Sequence, residues 1–304
     1  MKIYLESRKH PWIMWPISLW RESNKLKDGI ITSKKSEADI YVIEYEDGLD
    51  FNFEKPTYIY VESIEKNTLD ELKEKFNDST IKFISDSISV AKKIEENVSQ
   101  CYLWIKPTRV PELLWYKGDG KSLFNIKEEN FIMVGNGSRL IDNMRDVIKV
   151  FFKVCLKKDE DGFIEFTNDL DIFSAQDLKF EPFNNIYFHG HQPNPMLFSK
   201  IKTSKLFISP YDGNGVPISA IDAAFLGTPV IVRNTETNRT CFPWRDYNFF
   251  SDNKELGNIL KYYSNIDKSS STYLIDIIET NYNQVVKTFT PSNSYKNLLE
   301  IIGD

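Results

Sequence analysis

The segment from Leu206 to Asn234, LFISPYDGNGVPISAIDAAFLGTPVIVRN, sets the strongest limit on the fold. Leu206-Phe207-Ile208 is a short apolar run of strand type. Ser209 to Gly215 is loop chemistry, rich in glycine and punctuated by Pro210 and Asp212. Pro217 suits the first turn of a helix, where a missing N–H costs nothing. Ile218, Ala220, Ile221, Ala223, Ala224 and Phe225 make that helix apolar on nearly every side, which predicts burial. Gly227 and Pro229 end it, and Val230-Ile231-Val232 is the next strand.

A buried helix entered from a glycine loop at the carboxyl end of a strand has a physical use. Its first amides lack partners within the helix, and its dipole places partial positive charge there. An anion such as a phosphate can sit on those amides, and Gly213 and Gly215 let it come close. Asp222 lies about a turn into the helix, at the edge of the same crevice. A lone acid on a buried helix needs a partner. That partner is either a neighbouring Arg or backbone amide, or a ligand; the sequence leaves both open.

These residues resemble the nucleotide-sugar site of the family 4 glycosyltransferases, which are retaining enzymes of the GT-B fold. The matching residues are Gly215-Val216-Pro217-Ile218-Ser219, then Asp222-Ala223-Ala224, then Gly227-Thr228-Pro229-Val230-Ile231. The family's second acid, a glutamate that binds the nucleotide ribose, is Asp222 here. Its first acid, which contacts the donor sugar, falls on Asn214, with Asp212 two residues earlier as a substitute. A second point of resemblance is the strand Phe131 to Gly135 running into Asn136-Gly137-Ser138-Arg139, with a helix from Asn143 to Lys153. There the family holds the donor diphosphate with an Arg and a Lys. Arg139 matches the Arg, two residues after Gly137. The Lys position is Asp142, and Arg145 is placed to supply the missing charge.

The resemblance implies an α/β, GT-B chain: two Rossmann-like domains with a donor/acceptor cleft between them. We assign residues 1–125 to an acceptor-side domain and 126–285 to a nucleotide-sugar domain. Residues 286–304 are expected to form a helix crossing back to the first domain. A chain of 304 residues has room for two domains. Alternating strands and helices support the class: strands at Lys2–Leu5, Ala38–Ile43, Pro56–Val61, Ile81–Ile84 and Cys101–Ile105 are interleaved with helices at Thr68–Phe76 and Ile88–Asn97.

Composition narrows the functional classes. A net charge of −6 gives no global basic footprint for nucleic acid. Three widely spaced cysteines, Cys101, Cys155 and Cys241, read as reduced thiols of a cytoplasmic protein, not a disulfide frame or zinc site. The N-terminus carries charges inside its apolar stretch and does not read as a signal peptide, and no apolar run reaches membrane-spanning length. Asp169-Leu170-Asp171 has the spacing of a GT-A metal motif, but such pairs arise by chance in a chain with 44 acidic residues. His189 and His191 have no third ligand at useful spacing. No metal site is assigned.

The expected activity is transfer of a hexose or pentose, with retention, from a UDP- or GDP-sugar used as co-substrate; no permanently bound cofactor is implied. Amides of Gly215 to Ser219 with Arg139 would hold the phosphates, and positioning would do most of the rest. His10 is a candidate polar contact near the reacting centre. It lies in a basic and aromatic segment (Arg8, Lys9, Trp12, Trp15, Trp20, Arg21) that either faces the acceptor or packs the core. The acceptor is a glycan or lipid-linked sugar by default, and a modified DNA base is an alternative. Because the first acid and the diphosphate Lys are replaced, a non-catalytic module binding a nucleotide sugar or a partner glycosyltransferase is the rival reading.

Overall fold

A computed structural model of the chain describes residues 1–6, 30–64, 67–76, 80–118, 130–135, 141–158, 164–174, 185–212, 215–242, 249–266 and 271–303. By internal contacts the chain divides into two compact units. One comprises Met1–Arg109, Asn214–Val216 and Lys287–Asp304, the other Val110–Gly213 and Pro217–Val286.

In the first unit the strands are β1 (Ile3–Glu6), β2 (Ile31–Thr32), β3 (Ile40–Glu44), β4 (Thr57–Tyr60), β5 (Ile81–Ser85) and β6 (Cys101–Leu103). They form one six-stranded sheet in the order β2-β1-β3-β4-β5-β6, and every pairing is parallel. Parallel sheets are covered on both faces, so their strands read as near-continuous apolar runs. Helix α1 (Thr68–Lys75) and helix α2 (Ile88–Asn97) follow β4 and β5. Ser87 caps α2: its Oγ accepts from the Val90 amide. One face of the sheet buries Tyr41, Ile43, Ile59 and Phe83 against Leu72, Val90 and Ile94. The other buries Ile3, Leu5, Val42, Tyr58, Ile84 and Trp104 against Leu298, Ile301 and Ile302. Those last three belong to the chain's final helix, Pro291–Gly303. The Tyr58 hydroxyl donates to the Ile301 carbonyl at 3.1 Å, and the Ile105 amide donates to Asn297 Oδ1 at 2.8 Å.

In the second unit the strands are β7 (Asn130–Gly135), a short antiparallel ribbon of β8 (Leu156–Lys158) and β9 (Ile164–Phe166), β10 (Asp169–Ser174), β11 (Ile186–Phe188), β12 (Leu206–Ser209), β13 (Val230–Arg233) and β14 (Phe249–Phe250). Its main sheet has the order β11-β10-β7-β12-β13-β14, again with all pairings parallel. The helices are α3 (Ile141–Cys155), α4 (Asn194–Thr203), α5 (Ile218–Phe225), α6 (Glu236–Cys241), α7 (Asn253–Asn265) and α8 (Ser271–Thr288). The helix of the first unit that ends the chain is α9 (Pro291–Gly303). Phe131, Met133, Leu170, Ile172, Ile208 and Ile231 from the sheet form one core with Val147, Ile148 and Phe151 of α3 and Leu256, Ile259 and Leu260 of α7.

The structure departs from the sequence reading in three places. Asp169-Leu170-Asp171 opens strand β10, which sits inside the sheet between β7 and β11. The segment after β13, for which the sequence indicated no helix, folds into α6, where the Thr235 side chain caps the Asn238 amide. The two-residue strands β2 and β14 were not anticipated; each pairs at an edge of its sheet.

Candidate functional site

The order of the second sheet contains a topological switch. From β7 the chain moves to β10 and β11 on one side, and from β12 it moves to β13 and β14 on the other. β7 and β12 are neighbours, paired through Phe131↔Leu206, Ile132↔Phe207 and Met133↔Ile208. In open parallel sheets, ligands bind outside the carboxyl ends of the strands at such a point. Strand β12 is followed here by Pro210, Tyr211 and Asp212, the start of the glycine-rich segment singled out in the sequence.

Around this segment the local structure follows from the residues. Strand β12 is fully buried and apolar until Ser209, where Pro210 ends the ladder. Pro217 precedes α5, and its carbonyl accepts from Ala220 at 2.9 Å and Ile221 at 3.1 Å. No side chain caps this helix end. Helical hydrogen bonding thus begins at Ala220, so Ile218 and Ser219 form the first turn of α5, where the helix dipole favours an anion. Ala220 to Phe225 are all buried. Gly227 closes the helix at φ 73°, a left-handed conformation that a side chain would strain. The Thr228 amide bonds to Ala223 O and the Gly227 amide to Ala224 O, the pattern of a Schellman cap.

Gly215, Val216, Pro217, Ile218, Ser219 and Asp222 form one continuous segment at the entry of α5. Gly215 and Pro217 are buried; Val216, Ile218 and Ser219 are partly exposed. Asp222 is 0 % exposed. Asp212 is exposed on the other limb of the loop. Arg145 lies on α3, the helix that follows β7; its side chain is 43 % exposed and pairs with Asp142 at 3.2 Å. Asn214, Gly137, Arg139 and His10 lie outside the described residues. At the end of β7, a Cβ on Gly135 would come within 2.4 Å of Met144 Sδ, so α3 approaches the strand end closely.

A polar cluster that sequence reasoning missed lies on β10 and β11. Asp171 is buried, its Oδ1 2.5 Å from His189 Nε2, and its Oδ2 accepts from the Asn130 side-chain amide. Lys200 Nζ of α4 is 3.4 Å from the same carboxylate. The His189 ring stacks on Phe173, with centroids 4.5 Å apart. Both Asp171 and His189 were visible in the sequence, but as members of unrelated acid and histidine pairs. Partial burial, with the Asp171 charge adding to it, raises the Asp169 carboxyl above its ordinary range. No group of three His, Cys, Asp or Glu side chains suited to a metal ion occurs among the described residues.

No protein-family model matches the chain, and no curated protein matches it in sequence. Solved structures do match in fold. Anabaena HepE in complex with UDP and glucose has a TM-score of 0.67 at 11% identity, covering 100% of this chain and 99% of that one. Sucrose-phosphate synthase from Thermosynechococcus elongatus has a TM-score of 0.65 at 13% identity, covering 98% of this chain and 79% of that one. A point mutant of T4 phage BGT in complex with UDP-glucose has a TM-score of 0.52 at 12% identity, covering 99% and 98%. The chain therefore has the GT-B fold, with a parallel Rossmann-like sheet in each half.

Proposed function

We propose that the chain is a retaining glycosyltransferase that moves a sugar from a UDP- or GDP-sugar to an acceptor hydroxyl. One observation carries the reading: the glycine loop and the uncapped, buried helix α5 leave the sheet at its topological switch point. Structures of this fold that hold UDP or UDP-glucose support it. Residues 1–125 would serve the acceptor side, residues 126–285 the nucleotide sugar, and residues 286–304 the return to the first domain.

In this reading the diphosphate rests on the amides of Gly215 to Ser219, with Arg139 and Arg145 completing the charge. Helix amides and guanidinium groups neutralise the leaving diphosphate in place of a bound metal ion. Asp222 takes the ribose hydroxyls. Asn214 and Asp212 would contact the sugar, and His10 is the candidate for a polar contact near the reacting centre. The acceptor is a glycan or lipid-linked sugar met in the cytoplasm.

The test is direct. Incubation with UDP- and GDP-sugars should release free nucleotide, and NMR of the product should show the donor's anomeric configuration. An inverted product would refute retention. Nucleotide binding without any turnover would favour a non-catalytic binding module, the reading that Asn214 in place of an acid motivates. Transfer to DNA carrying a modified base alone would replace the glycan acceptor.

A further inference from the structure

We infer that Asn238 is a positioning residue: its side-chain amide sets the start of the glycine loop, and through it the affinity for the donor. The second half of this statement rests on the nucleotide-sugar reading above; the first half does not. Strands β12 and β13 are joined by ladder pairing only as far as Ser209↔Val232. Just beyond that point, the Asn238 side-chain amide donates to the Arg233 carbonyl at 2.8 Å and, in a longer contact, to the Tyr211 carbonyl at 3.4 Å. One NH2 group thus spans the end of β13 and the first limb of the loop after the ladder has stopped.

Three further observations separate this from ordinary helix capping. Asn238's own backbone amide is already capped by Thr235 Oγ1 at 3.2 Å, so α6 does not need the Asn238 side chain for its end. Asn238 is 1 % exposed, buried at the carboxyl edge of the sheet and not on a solvated loop. Its Oδ1 is buried without a hydrogen-bond partner among the described residues. A buried acceptor left unpaired opposes stability, and a residue chosen for packing alone would carry no such atom. The neighbouring Arg233 does not take over the link. Its guanidinium lies over the Phe250 ring, 5.5 Å from the centroid, on the side of β14.

The consequence concerns geometry. Tyr211 leads through the loop to Gly215 and the first amides of α5, and anion-binding amides work only when held in place before the ligand arrives. Asn238→Asp keeps the shape but turns a carboxylate oxygen toward two carbonyls. The matched control is Asn185→Asp, at another buried asparagine of the same unit, whose side-chain amide donates to the Asn168 carbonyl at 3.2 Å.

Two readouts test the inference. The first is amide hydrogen exchange of Tyr211, Asp212, Gly215, Val216, Ile218 and Ser219 without ligand, and the second is UDP affinity by calorimetric titration. Asn238→Asp should speed exchange in those residues several-fold and weaken UDP binding at least tenfold. Asn185→Asp should change neither, even where it lowers the melting temperature as much. If Asn238→Asp does not fold, Asn238→Ala supplies the same comparison. Unchanged exchange in a folded Asn238 variant overturns the inference. Faster exchange with wild-type UDP affinity overturns its link to the donor. Absence of UDP and GDP binding to the wild type refutes the nucleotide reading instead, and exchange alone then decides whether Asn238 holds the loop.

Discussion

Replacing Lys106 by Met breaks the most deeply buried ion pair of the first unit. Lys106 Nζ lies 3.1 Å from Asp86 Oδ2, with the side chains 4 % and 3 % exposed. It also donates to the Tyr60 hydroxyl at 2.8 Å, and that hydroxyl donates to Asp86 at 2.9 Å. Glu62, 41 % exposed, reaches the same ammonium at 3.5 Å. Burial alone would lower the Lys106 pKa; the Asp86 and Glu62 charges outweigh it and raise the pKa. At an effective dielectric of about 20, charges at this separation attract by roughly 5 kcal/mol, which desolvation opposes. The larger effect comes from what the substitution leaves behind: Asp86 buried without its cation, at a cost of about 3–5 kcal/mol. For a unit of this size that is a fall in melting temperature of roughly 10 °C. The double variant Lys106→Met with Asp86→Leu removes both charges and should recover most of the loss. Calorimetric melting of the wild type, both single variants and the double variant closes the cycle. A single variant within about 1 kcal/mol of wild type would refute the reasoning, because it would mean the carboxylate is not confined as described. The linkage has a definite sign. With the lysine pKa raised above 10.5, the pair's contribution is fully present below pH 10.5 and is lost as pH rises through the folded value.

Three other perturbations have defined outcomes. Glu71 accepts from Lys75 Nζ at 2.6 Å and from the Tyr45 hydroxyl at 2.6 Å, and these bonds, Lys75 first, hold its pKa at about 2. Its contribution is therefore present above pH 4.5 and lost as pH falls toward 2, so the stability gap between wild type and Glu71→Gln, read by urea titration, should narrow over that window. Gly227→Ala forces a side chain into a left-handed turn and should cost about 1–2 kcal/mol by the same assay. Asp252 accepts from the Glu255 amide at 2.8 Å as the N-cap of α7, so Asp252→Ala should cost about 1 kcal/mol, and Asp252→Asn much less.

What the sequence disclosed depended on whether the cause was local. Leu206-Phe207-Ile208 and Val230-Ile231-Val232 are uninterrupted apolar runs, and strands buried on both faces leave that trace. The glycine loop and α5 are contiguous, so the candidate anion site could be assembled from one stretch. β10 was missed because Asp169 and Asp171 break its apolar pattern. Asp171 is tolerated in the sheet by Asn130, His189 and Lys200, from three separate segments. α6 carries no apolar period, and its start depends on a cap by Thr235. The role of Asn238 is invisible in the sequence for the same reason: its contact at Tyr211 lies 27 residues away.

A nucleotide sugar at the switch point of the second sheet is detectable by calorimetric titration of the wild type and of Asp222→Ala with UDP, GDP, UDP-glucose and GDP-mannose. The wild type should bind one nucleotide series saturably, and a folded Asp222→Ala should bind it at least tenfold more weakly. No heat of binding from any of the four at millimolar concentration, or equal affinity in both proteins, would contradict this assignment.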